Sequence, residues 1–217
     1  MSQQQKPGSD PTPRSLDLTV NGEAVEVPDA GETLLAVLRD RLGLTSAKDG
    51  CSPQGQCGCC TVLVDGSPRV ACVTPARRVR GRDIVTLEGL DEQRRRRWGD
   101  AFCAAGASQC GFCTPGIVMR LDALNQSLDA ATPGPAAEPA PEIQPPAPET
   151  QPPDDDQAES EHRHKGAVDQ ALLAHLCRCT GWQTIHEAWQ LFVDREGSTD
   201  ASELGSDRDL DAAAARA

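Results

Sequence analysis

The sequence predicts an α+β chain in two parts: a small mixed domain of β-hairpins with one helix, then a small bundle of short helices. Three observations carry this prediction. Runs of alternating or apolar residues flank the tight-turn pairs Asn21-Gly22 and Asp65-Gly66. Leu34, Leu35, Leu38 and Leu42 give one helical spacing before residue 90, and several more follow it. Strand signals cease after Leu90.

Residues 1–14 are polar and Pro-containing, and are expected as a disordered tail. Leu16–Val20 and Ala24–Val27 form the first hairpin, which Pro28 stops. The helix over 32–42 is ended by Gly43. A Gly- and Cys-rich loop then runs from Lys48 to Cys60, followed by a second hairpin, Thr61–Val64 with Arg69–Val73, and a short strand, Ile84–Leu87. These elements bound a domain at 15–90. The second domain, 91–195, carries helical patterns over 91–106, from Thr114-Pro115 to about Leu128, over 167–176 and over 184–193. Residues 129–165 interrupt it with Pro-rich acidic sequence that cannot bury enough apolar surface to order itself, so they are expected as a disordered insert. Doubling a loop's length costs only about 0.6 kcal/mol of closure entropy, so the bundle should tolerate it. Residues 196–217 form a tail with no core role; a domain continuing beyond it stays open.

The chain has 217 residues, ten of them Cys, with a formal net charge of −12. Its acidity argues against a nucleic-acid partner, although much of that charge lies in the insert and tail. The first residues lack the basic-then-apolar pattern of a secretory signal and no apolar stretch reaches transmembrane length, so neither a leader nor a membrane span is expected. The chain is therefore expected to be cytoplasmic, where thiols stay reduced and clustered Cys serve metal binding better than disulfides.

Cys51, Cys57, Cys60 and Cys72 give C-x5-C-x2-C and a fourth Cys one hairpin later. Plant-type ferredoxins space their cluster ligands C-x4-C-x2-C…C, one residue shorter in the first gap. Gly50, Gly55 and Gly58 let the backbone wind closely around an anionic group. Cys59 competes with Cys60 for the third place. Cys110, Cys113, Cys177 and Cys179, as C-x2-C with C-x-C, make a second four-thiolate set. A structural zinc site is the competing reading of that set, since zinc also takes four thiolates. Cys103 is left over and expected to pack in the bundle.

Lys48-Asp-Gly-Cys51, Gln56-Cys-Gly-Cys-Cys-Thr-Val62, Gln109-Cys-Gly-Phe-Cys-Thr-Pro-Gly116 and Leu176-Cys-Arg-Cys-Thr-Gly181 resemble the small iron–sulfur subunit of the molybdenum hydroxylases. That family includes xanthine dehydrogenase, aldehyde oxidoreductase and aerobic carbon monoxide dehydrogenase. The resemblance spans roughly residues 16–193 apart from the insert. It implies a plant-ferredoxin-like β-grasp domain followed by a four-helix-bundle domain, each with one [2Fe-2S] cluster. It places the cluster on Cys110, Cys113, Cys177 and Cys179 nearest the molybdopterin of a large partner subunit, with Gln109 and Cys179 closest to the pterin. The cluster on Cys51, Cys57, Cys60 and Cys72 would lie farther out, towards FAD on another subunit. The chain would then relay electrons and perform no substrate chemistry of its own. Three features depart from the family pattern: the longer first loop, Cys59 where a small residue such as Ala is usual, and Trp182 where Tyr is usual.

Two other functions remain compatible with the residues: a free two-cluster ferredoxin, and a zinc-stabilised regulatory module. Among lesser features, Arg94–Arg97 is expected as a solvated helix face rather than a docking patch. His162 and His164 are expected to be solvated, and His175 and His186 to pack or lie at the surface. Lys48 and Arg178 stand next to ligands and could offset cluster charge.

Overall fold

The computed structural model describes residues 15–131 and 165–197. The expected N-terminal tail, nearly all of the insert with His162 and His164, and most of the C-terminal tail lie outside the described residues.

The first half folds around β1 (Ser15–Val20), β2 (Glu23–Pro28), β3 (Thr61–Val64), β4 (Ser67–Val70) and β5 (Asp83–Val85). They form one sheet in the order β2-β1-β5-β3-β4. β1 pairs parallel with β5, while β1–β2, β3–β4 and β3–β5 are antiparallel. Both hairpins turn where the sequence places them, with Asn21, Gly22, Asp65 and Gly66 all at positive φ, as a two-residue turn of this hand requires. The Asn21 side chain does more than turn: its Oδ1 accepts from Thr86 N–H at 2.9 Å and its Nδ2 donates to Thr86 Oγ1 at 3.0 Å. This locks the hairpin onto the chain leaving β5.

The helix expected over 32–42 is α1. It begins as a single α turn, Leu34–Ala36, capped by Thr33 Oγ1, which accepts from Ala36 N–H at 3.2 Å. It then widens into a π-helical turn, Val37–Arg41. Leu34, Leu35, Val37 and Leu38 are all buried against the sheet, more inward-facing residues than a narrow α stripe supplies. The returning strand expected over Arg69–Val73 stops at Val70, and 71–73 coil into a 3-10 turn that carries Cys72 inward.

The second half is helical: α2 (Glu92–Ala104), α3 (Thr114–Ala131), α4 (165–172) and α5 (Trp182–Gly197). α3 runs three residues into the stretch expected as insert, and α4 starts at its last residue and ends at 172 rather than 176. Asp91 caps α2, its carboxylate accepting from Arg94 N–H at 2.8 Å. Trp98 of α2 stacks on Phe192 of α5 with ring centroids 3.7 Å apart. No helix among the described residues is long and apolar enough to cross a membrane.

Strand β3 joins the halves. Side chains alternate across a strand, so Val62 and Val64 enter the core of the first half while Leu63 enters the core of the second. All four β3 residues are buried. The sheet thus has helix on both faces at β3, which holds the two Cys-bearing regions against each other.

Candidate metal centres

Nine of the ten cysteines have a thiol neighbour. Cys57 meets both Cys51 and Cys59, and Cys60 pairs with Cys72, whose N–H points at Cys60 Sγ across 3.4 Å. In the second half Cys110 Sγ and Cys179 Sγ lie 3.5 Å apart, and Cys113 pairs with Cys177. The first two pairs adjoin each other, as do the second two: Cys72 senses Cys51, and Cys113 senses Cys110. Among the described residues no three His, Cys, Asp or Glu side chains gather as tightly as a single ion requires. Two pairs side by side are what a group with two irons needs.

The electrostatics suit an anionic group. Backbone N–H groups of Gln56, Cys57 and Gln54 point at Cys51 Sγ and bring its pKa down to about 6. Burial opposes charge at Cys177, but the Thr180 hydroxyl and N–H outweigh it and bring that thiol to about 7. The Phe112 N–H and the neighbouring Cys179 lower Cys110, and Cys110 in turn raises Cys179. Burial, then the adjacent Cys60, pushes Cys72 up to about 12; burial and Cys177 do the same to Cys113. In each pair of the second set one thiol is lowered and the other raised. Binding metal displaces the retained protons.

The two sets differ in exposure. Cys57, Cys60 and Cys72 are buried and Cys51 partly so, whereas Cys110 and Cys179 are exposed, with Gln109 beside them. Phe112, Leu176 and Trp182 are also exposed around the second set. Cys59 is buried with its Sγ 3.6 Å from the Cys57 carbonyl oxygen, and its near neighbours include Cys57 and Cys113. Burial and the neighbouring Cys57 push that thiol up to about 12. It stands between the two sets, and Cys60 is the one that meets Cys72. Cys103, expected in the bundle core, is instead exposed on α2, because Trp98, Ala101 and Phe102 occupy that helix's inner face.

Several contacts join the two sets. The Leu176 N–H, adjacent to Cys177, donates to the Cys57 carbonyl at 3.0 Å. His175 is buried, its ring lying over Gly58 with Nε2 3.1 Å from Thr61 Oγ1. Thr61 spends its hydroxyl proton on the Gly58 carbonyl at 2.7 Å, so the imidazole Nε2–H is the donor. Gly58 has φ +68 and no room for a Cβ, which would fall 2.6 Å from His175 Cγ. Spacing along the chain shows none of these contacts, because they join residues more than a hundred positions apart.

The lesser features resolve as structure. Arg94 pairs with buried Asp122, Arg97 lies over the Phe192 ring at 4.4 Å, and Arg95 donates to the Glu88 carbonyl at 3.1 Å. The Arg run is therefore more than a solvated face: it ties α2 to α3, α5 and the end of the first half. His186 Nε2 sits 2.8 Å from Asp169, bridging α5 to α4. Lys48 Nζ donates to the Thr45 carbonyl, and Arg178 is exposed.

Comparison with known proteins agrees with this division. A family described as "2Fe-2S iron-sulfur cluster binding domain" matches residues 18–84, and one described as "[2Fe-2S] binding domain" matches residues 86–190. The nicotinate dehydrogenase small FeS subunit of Eubacterium barkeri is 35% identical over 183 residues, covering 83% of this chain and 96% of that one. The small subunit of nicotine 6-hydroxylase from Paenarthrobacter nicotinovorans is 37% identical over 174 residues, 80% of this chain and 86% of its own. In the crystal structure of quinoline 2-oxidoreductase from Pseudomonas putida 86, a chain superposes with a TM-score of 0.60 at 30% identity, over 85% of this chain and 98% of that one. The chain belongs to the family of electron-transferring small iron–sulfur subunits of the molybdenum hydroxylases, with two [2Fe-2S]-binding domains.

Proposed function

We propose that this chain carries electrons from a large molybdopterin-holding partner to a FAD-holding partner. Cys110, Cys113, Cys177 and Cys179 hold the inner [2Fe-2S] group, and Cys51, Cys57, Cys60 and Cys72 the outer one. The pairwise gathering of these thiols, two pairs on each side of one seam, carries the reading. Each group, when bound, takes up and releases one electron. The chain's own residues do the rest. The loop N–H groups that lower Cys51 stabilise negative charge on sulfur. Burial of Cys57, Cys60 and Cys72 keeps water from the outer site.

Exposure supports the direction. Gln109, Cys110 and Cys179 lie at the surface with Phe112 44%, Leu176 61% and Trp182 39% exposed around them. An apolar rim around an open redox site suits a protein partner, and Gln109 and Cys179 would face its pterin. In its finer architecture the first domain, 15–90, is a plant-ferredoxin-like β-grasp and the second, 91–195, a four-helix bundle. Ten cysteines with no disulfide among them fit the reducing cytoplasm.

Iron and acid-labile sulfide assays test the reading, together with EPR of the reduced protein and identification of what co-purifies. Two distinct [2Fe-2S] signals and a molybdenum-containing partner are expected. Zinc with no EPR-active cluster would sink the relay. A chain isolated with both clusters and no such partner would point to a free ferredoxin instead.

A further inference from the structure

The two thiol sets lie on different halves of the chain, so what touches between them decides their separation. One such contact is backbone to backbone. Gly116, three residues after Cys113, packs on Gly58, which lies between Cys57 and Cys60. A Cβ on Gly116 would overlap the Gly58 carbonyl oxygen and lie 2.9 Å from Cys59 Cα and 3.0 Å from Cys59 C. These are main-chain atoms inside the ligand loop, so no rotamer change clears the overlap. The two elements would have to move apart.

The backbone at Gly116 gives no other reason for glycine. It sits in the first turn of α3 and is absent from the positive-φ glycines. Glycine disfavours helix there relative to alanine. Close approach is what remains to explain it. Gly58 is confined from its other side by the His175 ring, and the Leu176 N–H bond to the Cys57 carbonyl fixes a second point of the same seam.

We infer that Gly116 is a spacing residue: its missing side chain sets the distance between the two iron–sulfur groups, and so the rate of electron passage between them, without helping to bind either group. The inference rests on the two-cluster reading above. Electron exchange decays exponentially with separation, and magnetic coupling between two reduced clusters falls as its inverse cube. Both report the same spacing, and only the first is an activity.

The test uses the holoprotein reduced with dithionite and observed by low-temperature EPR. The wild type should show both cluster signals split by mutual coupling. Gly116→Ala should keep both signals and its full iron content, show a measurably smaller splitting, and equilibrate electrons between the clusters several-fold more slowly. Gly99→Ala, on α2 with open space around it, should match the wild type. Unchanged splitting in Gly116→Ala would overturn the inference. Loss of iron or of either signal in that variant would also overturn it, assigning the contact to assembly. A wild type with both signals and no splitting would sink the spacing role alone; a wild type with no cluster signals would sink the two-cluster reading itself.

Discussion

Asp122→Ala should destabilise the helical half severely, and the structure sets the size of the effect. The Asp122 side chain is fully buried, at 0% exposure, in the middle of α3. It pairs with Arg94 of α2, accepts from Trp98 Nε1 at 2.9 Å and from Gln126 Nε2 at 2.7 Å. Removing one partner of a buried ion pair typically costs about 3–5 kcal/mol. Trp98, at 1% exposure, has no solvent to replace the lost acceptor, a penalty of about 1–3 kcal/mol. The Arg94 side chain is 22% exposed and recovers some hydration, so the two costs do not add fully. A total of about 3–4 kcal/mol is expected. With a urea slope of about 2 kcal/mol/M, the midpoint should fall by about 1.5–2 M. Asp122→Asn keeps an acceptor for Trp98 but loses the charge and turns an NH2 towards Gln126 Nε2, whose amide must flip to pair with it, so about 1–2 kcal/mol is expected. Urea titration of the holoprotein, followed by far-UV circular dichroism and the visible iron–sulfur band, measures both. A shift below about 0.5 M for Asp122→Ala would refute the reasoning.

Cys60→Ala should abolish the outer cluster's EPR signal, whereas Cys59→Ala should retain both clusters, because Cys60 meets Cys72 and Cys59 faces the seam; iron content and EPR of the two variants decide it. Cys103, exposed on α2, should react with a maleimide in the native holoprotein while buried Cys59 does not, as peptide mass mapping would show. Burial works against charge at Glu88, but hydrogen bonds from Ser46 and Thr86 prevail and hold its carboxyl below the ordinary value. A depressed carboxylate stabilises the fold above its unfolded pKa and loses that contribution as pH falls through the folded one. Glu88→Gln should therefore lower thermal stability at neutral pH and show a flatter loss towards acid; an unchanged acid profile would contradict this.

Much of the architecture was legible because its determinants are local. Asn21-Gly22 and Asp65-Gly66 specify their turns through positive φ, the leucine spacing over 34–42 marks the first helix, and the Cys spacing marks both metal regions. What was misjudged depends on contacts made elsewhere. The return strand ends early at Val70 because 71–73 coil into a 3-10 turn, with Thr74 N–H bonding back to the Ala71 carbonyl at 3.3 Å, and this carries Cys72 inward. Cys103 looked like core because an apolar residue on a helix usually is; the inner face was already filled. The Arg94–Arg97 run looked solvated because its partners, Asp122 and Phe192, are distant in sequence.

The sequence by itself determined the chemistry of this protein: two unlike four-Cys patterns, their order, the family they mark, and the sheet-then-helices plan. Ligand type and short spacing are local properties, and local properties survive in a string of residues. Only the tertiary structure decided how the thiols divide into pairs, which set is exposed, that Cys59 stands in the seam, and that Gly58 and Gly116 touch. Those are distances between segments brought together by β3, whose Leu63 enters one core while Val62 and Val64 enter the other. Separation along a chain carries no information about separation across such a seam.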